Sequence, residues 1–476
     1  MKQDFLDYIQ ETFAFSDTEM SDFEVALSRP LKKTLRVNTN KISVENFKTL
    51  AKENNWKLSE TALGQNMFYI DREDTSVALG NTLEHIAGYF YVQELAASSS
   101  PFYLSDDAKD TKEYMILDMS ASPGGKTTQL AEYYPNSIIV ANEIDKTRMR
   151  QLHENTDRLG AKNVCVTNYD GRFFANYGEV FDKILLDAPC SGEGTAYKTD
   201  DALKYWNIKN IKRIAKLQYQ LIESAFISLK VGGELVYSTC TLNRLENEDI
   251  LNKLTDTYGD YFRIISLGTD HIIRAWPHIH KTGGFFVVKL IKKESIPDEL
   301  IKTKKKTQKN TQGFEKVSNN DDRMIREFLK TQFSLELIGK FYTYRNEIYY
   351  TEKNIDFIWE NFFLYKVGTK IGKIENGQFE PNFFLGTNFG IFEKNSFEVE
   401  DENIDVLFKG QEISVGNAGM RSDVGSEYFH SDTQNENIRS LQDGFYQIHH
   451  NNIPAGIVKI KNSTIKSVLE NRFYRK

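Results

Sequence analysis

Cysteine is scarce: Cys165, Cys190 and Cys240 are the only three in a chain of 476 residues. Three thiols in so long a chain make no disulfide framework, and neither a CxxC pair nor a Cys/His cluster offers a zinc site. Long apolar runs are missing too. No stretch reaches the roughly 18 apolar residues of a membrane-spanning helix. The opening segment MKQDFLDYIQETFAF mixes acids with apolar residues and lacks the core of a signal peptide. A cytoplasmic, reduced protein with no membrane partner is expected. An excess of positive charge is also absent, since the formal net charge is −7. That argues only weakly against nucleic acid, because binding follows local patches. Lysines do cluster from Lys302 to Lys309, a run that reads as a solvated linker.

What is present is a length sufficient for two to four domains. The first hundred residues read as two short helices, with Ser16 and Ser21 as N-caps, then a small α+β module. LKKTLRVNT and MFYID are its strands, and Ser43 caps the helix between them. From Tyr114 the rhythm changes to strands alternating with helices, the signature of βαβ units and a mostly parallel sheet. The strands YMILDMS, SIIVANEID, NVCVTNYD, FDKILLDAP and GGELVYSTC are apolar runs suited to burial on both faces. GGFFVVKLI follows them. After the linker, FYTYRNEIYYT reads as a hairpin. A last small module starts near Glu400 and contains NIDVLFKGQEI, GFYQIHH and PAGIVKIKN.

The turn in ILDMSASPGGKTTQL joins a strand to a helix, and Gly124 and Gly125 permit close approach of a ligand to the helix N-terminus. Ser120 stands where a phosphate-binding loop needs its first glycine, and G-x-G-x-x-G is absent. A nucleoside cofactor such as S-adenosyl-L-methionine needs less phosphate cradle and more ribose and adenine recognition. Glu143 ends the next strand, where a carboxylate can take both ribose hydroxyls. Asp170 follows the third strand, where an acid can accept the adenine amino group, and Asp187 ends the fourth. Ligands of open α/β sheets sit at such strand ends, so the pattern points to a methyltransferase.

Cys190 and Cys240 follow strand ends on that same face. Carbon 5 of a pyrimidine is not nucleophilic until a thiolate adds to carbon 6, and a base so treated must leave any stack. Chemistry gives a cysteine something to do but does not rank the two. Cys165, in mid-strand, reads as a small buried filler.

DAPCSGEG, from Asp187 to Gly194, together with YSTCTLNRLENE resembles the Sun-type RNA cytosine-5 methyltransferases, and within them the RsmF-type enzymes of 16S ribosomal RNA. LRVNT, GYFYVQELAASS, SPGGKTTQ, ANEID, NYDGR and HKTGGFFVVKL extend the match over nearly the whole chain. The resemblance implies that Cys240 is the nucleophile, that Cys190 assists release of the covalent RNA adduct, and that Asp187 faces both cofactor and cytosine. It places cofactor contacts on Ser120, Ala121, Ser122, Pro123, Gly124, Gly125, Lys126, Glu143, Asp170 and Asp187, and puts Lys198 near the RNA or target base. Tyr197 and Asp200 depart from the family pattern, where relatives carry a basic residue and proline.

The expected architecture is therefore α/β. It has a Rossmann-like S-adenosylmethionine-dependent methyltransferase core at 106–294, preceded by an N-terminal helical and α+β RNA-binding module at 1–105. A linker at 295–320, a first C-terminal domain at 321–395 and a PUA-like RNA-binding domain at 396–476 follow. In the last, Lys459, Lys461, Lys466, Arg472, Arg475 and Lys476 are expected at phosphates. The implied reaction is methyl transfer to carbon 5 of cytosine in 16S ribosomal RNA, within the small subunit or an assembly intermediate, by a monomer. Two rivals remain: the same chemistry on transfer RNA, and a non-enzymatic ribosome-assembly factor.

Overall fold

The computed structural model describes residues 3–64, 66–105, 112–198, 203–267, 272–301, 313–415 and 441–469. The Lys302–Lys309 run, Asp200, Arg472, Arg475 and Lys476 lie outside the described residues.

The chain centres on a nine-stranded sheet. Its strands are β1 (Met115–Asp118), β2 (Ile138–Asn142), β3 (Val164–Thr167), β4 (Phe181–Asp187), β5 (Leu229–Thr239), β6 (Phe262–Ile265), β7 (Ile272–Ala275), β8 (Phe285–Lys292) and β9 (Leu364–Val367). Their order is β6-β8-β5-β4-β1-β2-β3-β9, with β7 pairing β8. The middle five, from β5 to β3, run parallel. β8, β6, β7 and β9 add antiparallel edges. The apolar strand runs follow from burial on both faces. Leu117, Val140, Ile184, Leu186 and Leu235 join one core with helices α3 (Ile208–Ser228) and α4 (Glu248–Tyr258). Their neighbours Ile116, Ile139, Leu185 and Val236 join the opposite core with α1 (Gly125–Tyr133) and α2 (Lys146–Arg158). Alternation across the pleat thus sends every second residue to each helix layer. The chain reverses direction across the sheet between β1 and β4, so the ligand crevice of such a fold falls at the carboxyl ends of those two strands.

The expected N-terminal elements are present. Ser16 caps the helix Asp17–Ser28 in a capping box with Glu19, and Ser43 caps Val44–Glu53. Ser21, however, lies inside the first of these helices rather than at its start, because Ser16 with Glu19 already satisfies the free N–H groups there. A four-stranded antiparallel sheet then forms from segments between Thr34 and Val92. The hairpin at Lys340–Tyr344 and Glu347–Thr351 turns through Arg345 and Asn346, both at positive φ. β9 was not expected: four residues of the segment 321–395 extend the central sheet beside β3. Its Lys366 is buried and pairs with Asp157 of α2 at 3.0 Å. Apolar residues of the N-terminal sheet, among them Leu35, Val37 and Phe90, share one cluster with Phe383, Phe397, Ile448 and Ile460 from the C-terminal part.

Candidate active site

β1, β4 and β5 are adjacent, so their carboxyl ends bring the glycine turn, Asp187 and Cys240 together. Gly124, at the N-terminus of α1, has φ +106°, a conformation that a side chain rarely adopts. Below the turn, the wholly buried Asp118 accepts from Thr127 Oγ1 at 2.6 Å. Burial pushes its carboxyl up to about 7. Sequence reading passed over Asp118, although it ends β1 as Glu143 follows β2. Above the turn, Lys126 Nζ sits 2.7 Å from Asp187 Oδ2. Burial works against its ammonium, but Asp187 holds it above the usual lysine range. Ser238 Oγ donates to the other Asp187 oxygen at 3.0 Å.

Glu143 is buried at the end of β2, oriented by the amides of Ser122 at 3.3 Å and Asp145 at 2.9 Å. A carboxylate has about four lone-pair sites, so capacity remains for two ribose hydroxyls. This donor set fits a nucleoside cofactor. Asp170 follows β3. It caps the turn that follows it, and Arg172 grips its carboxylate through Nε at 2.9 Å and Nη2 at 2.5 Å. These bonds lower its pKa. Its lone pairs are shared with a guanidinium before any adenine arrives.

The two cysteines meet. Cys190 Sγ and Cys240 Sγ are 3.2 Å apart, both only partly exposed. The contact with Cys190 favours a thiolate at Cys240. Burial and Asp187 oppose it, and Lys126 and Lys198 add positive charge on its side. Cys190 is driven the opposite way by the same bond, by burial and by the negative charges of Cys240, Glu246 and Asp187. Lys198 is exposed, with Nζ 5.6 Å from the Tyr197 ring. Cys165 is buried in β3, its thiol raised to about 12 by burial.

The loops that carry the thiols interlock. Gly194 N donates to Cys240 O at 3.0 Å, and Gly284 N donates to Gly194 O at 2.9 Å. A Cβ on Gly194 would stand 2.1 Å from Gly284 O, so only glycine fits. Among the described residues no group of three or more His, Cys, Asp or Glu side chains could hold a metal ion. No described helix is long and apolar enough to cross a membrane.

A doubly wound sheet with a glycine turn that lacks a phosphate cradle and a ribose-type carboxylate at the next strand end has the form of a nucleoside-cofactor methyltransferase. Family comparison narrows this. Residues 107–291 match the model of 16S rRNA methyltransferase RsmB/F, and residues 1–95 match the N-terminal domain of 16S rRNA methyltransferase RsmF. Ribosomal RNA small subunit methyltransferase F of Shewanella piezotolerans is 37% identical, over 87% of this chain and 89% of its own. Its namesake in Vibrio cholerae is 41% identical, over 67% of this chain and 69% of its own. Among solved structures, NSun6 from Pyrococcus horikoshii with SFG aligns with a TM-score of 0.54 and 25% identity, over 62% of this chain and 99% of that one. A methyltransferase homolog from the same organism aligns with a TM-score of 0.50 and 28% identity, over 61% of this chain and all of that one. The chain belongs to the RsmF branch of the RsmB/F family and is an S-adenosylmethionine-dependent rRNA methyltransferase.

Proposed function

We propose that this enzyme methylates carbon 5 of cytosine in 16S ribosomal RNA, with Cys240 as nucleophile and Cys190 as the group that assists release. The contact between the two thiols at 3.2 Å carries this reading, with Cys190 taken as the donor and the Cys240 thiol lowered by it. The Cys240 thiolate adds to carbon 6 of a cytosine displaced from its stack, and carbon 5 becomes nucleophilic. S-adenosylmethionine supplies the methyl group when bound. Ser120 to Lys126, Glu143 and Asp187 hold that cofactor, and Asp170 contributes through the partnership it already has with Arg172. Asp187, oriented by Lys126 and Ser238, faces the cytosine edge. A base then takes the carbon 5 proton, the carbon–sulfur bond breaks, the ring double bond re-forms, and Cys190 supports this last step as the adjacent thiol. Lys198 lies toward the RNA.

The chain is read as five parts, at 1–105, 106–294, 295–320, 321–395 and 396–476, working as a cytoplasmic monomer on the small subunit or its assembly intermediate. The first and last of these, the last PUA-like, grip RNA. Lys32, Lys33, Lys57 and Arg72 line a cavity of 520 Å³ on the N-terminal module and support phosphate contact there. In the last module Lys459 and Lys466 already pair with Glu380 and Glu412 at 3.1 Å, so phosphate would have to compete for them.

Bisulfite sequencing of ribosomal and transfer RNA from a deletion strain tests the substrate. Loss of a 5-methylcytosine from 16S RNA is expected. Loss confined to transfer RNA would overturn the assignment, and no loss in either would favour a scaffold.

A further inference from the structure

Methyl transfer leaves part of VYSTCTLNRLENE unused. Two carboxylates beside the thiols, Glu193 and Glu246, have no part in the steps above. Glu193 and Glu246 are fully buried. Each comes from one cysteine loop and serves the other. Glu193, three residues after Cys190, accepts from the backbone amides of Leu242 and Asn243, both at 2.9 Å. Glu246, six residues after Cys240, accepts from the amide of Ser191 at 2.9 Å. Asn243 Nδ2 donates to both carboxylates at 2.8 Å. Trp206 Nε1 donates to Glu193 at 2.5 Å, and Gln218 Nε2 of α3 donates to Glu246 at 2.8 Å. Gln218 Nε2 also donates to Pro189 O at 2.9 Å, while its buried Oε1 has no hydrogen-bond partner among the described residues. A buried amide oxygen left unpaired is costly. The helix thus sacrifices one polar atom to tie Pro189, next to Cys190, to Glu246.

We propose that Glu193 and Glu246 form a reciprocal clamp between the two cysteine loops, and that Glu246 is the positioning residue that fixes Cys190 as proton donor and Cys240 as thiolate. This rests on the cysteine roles assigned above. Donors alone converge on Glu246 from Ser191, Gln218 and Asn243, an arrangement that only an acceptor on both oxygens can satisfy. An amide in its place must turn an N–H group against another donor, and the Cys190 loop moves. The charges are arranged to the same end. Glu246 and Asp187 bear on Cys190, and Lys126 and Lys198 bear on Cys240, with Asp187 acting against them there. Glu193 adds repulsion at Glu246, where burial is the larger effect and both raise its pKa.

The test uses the full-length protein, without RNA for alkylation and with 16S ribosomal RNA for methyl transfer. Cys190 and Cys240 are alkylated with iodoacetamide across a pH series and counted by mass spectrometry in the unaltered protein, Glu246→Gln and Gln218→Met. Melting temperature and S-adenosylmethionine affinity serve as fold controls. Gln218→Met keeps the charge at Glu246 and removes the two hydrogen bonds to Glu246 and Pro189 O, so it reports even if Glu246→Gln fails to fold. In the unaltered protein Cys240 reacts first and at lower pH. In the variants that preference narrows, more in Glu246→Gln, and methyl transfer falls roughly 10- to 100-fold for a displacement of about 1 Å. A residue that merely stabilises the fold would leave the alkylation order unmoved. An unchanged order in the folded variants would overturn the clamp alone. Cys190 reacting first in the unaltered protein would overturn the cysteine assignment beneath it.

Discussion

A thiol attacks only as its thiolate, and an isolated cysteine supplies little of it at neutral pH. In the proposed mechanism one thiol is spent in acidifying the other. The two sulfurs lie 3.2 Å apart, and the contact with Cys190 and the Lys126 ammonium both lower the pKa of Cys240. Replacing Lys126 by Gln removes a charge that favours the thiolate and leaves Asp187, which opposes it, unneutralised. Both changes raise the pKa of Cys240. The lower-pH limb of its alkylation profile is therefore expected to move to higher pH, read by the same mass-spectrometric count, whereas an unmoved limb would remove Lys126 from the account. The thiols themselves were legible in the sequence, because both follow apolar strands. Their order came only with the family resemblance, because the charges that bear on them, Glu246, Lys126 and Lys198, are set by the meeting of separate loops. Asp170 was legible as a strand-end acid, but its grip by Arg172 two residues on was missed.

The parallel core could be read because β1 to β5 are buried on both faces and so lack polar alternation. The edges could not. β6, β7 and β9 are four residues each. LYKV gives no strand signal of its own, and Lys366 within it argues for a surface. It becomes an edge strand because Asp157, Thr156 Oγ1 and Gly368 O satisfy its ammonium below β3. The two loops over the strand ends are a further element that only the fold displays. GEG and LENE look like exposed turns, yet Glu193, Asn243, Glu246 and Asn247 are all buried. The one clue in the sequence was their polar density next to a cysteine at a strand end.

At the scale of the whole molecule, the N-terminal module reaches the cofactor turn directly. Arg36, from its sheet, is fully buried and forms an ion pair with Glu132 of α1. Its guanidinium also donates to Thr128 Oγ1 at 2.9 Å and Gly125 O at 3.3 Å. Asn38 donates to Leu159 O, and Arg158 answers by donating to His85 O and Phe90 O. Breaking a buried pair by removing one partner costs about 3–5 kcal/mol, because the other charge stays behind uncompensated. Arg36→Ala is expected to lower stability by that amount in chemical denaturation and to weaken S-adenosylmethionine binding in calorimetry. Full stability would mean that the seam is dispensable. Motifs such as LRVNT were visible beforehand, but their service to the catalytic turn was not, because the partner residues lie about 90 positions away.

The central claim is the division of labour between the two cysteines. Full-length Cys240→Ala and Cys190→Ala are each incubated with 16S ribosomal RNA and S-adenosylmethionine, and protein–RNA adducts are resolved on a denaturing gel. Cys190→Ala is expected to accumulate a covalent adduct, and Cys240→Ala to form none and to transfer no methyl group. Methylation by Cys240→Ala, or an adduct held through Cys190, would contradict the account.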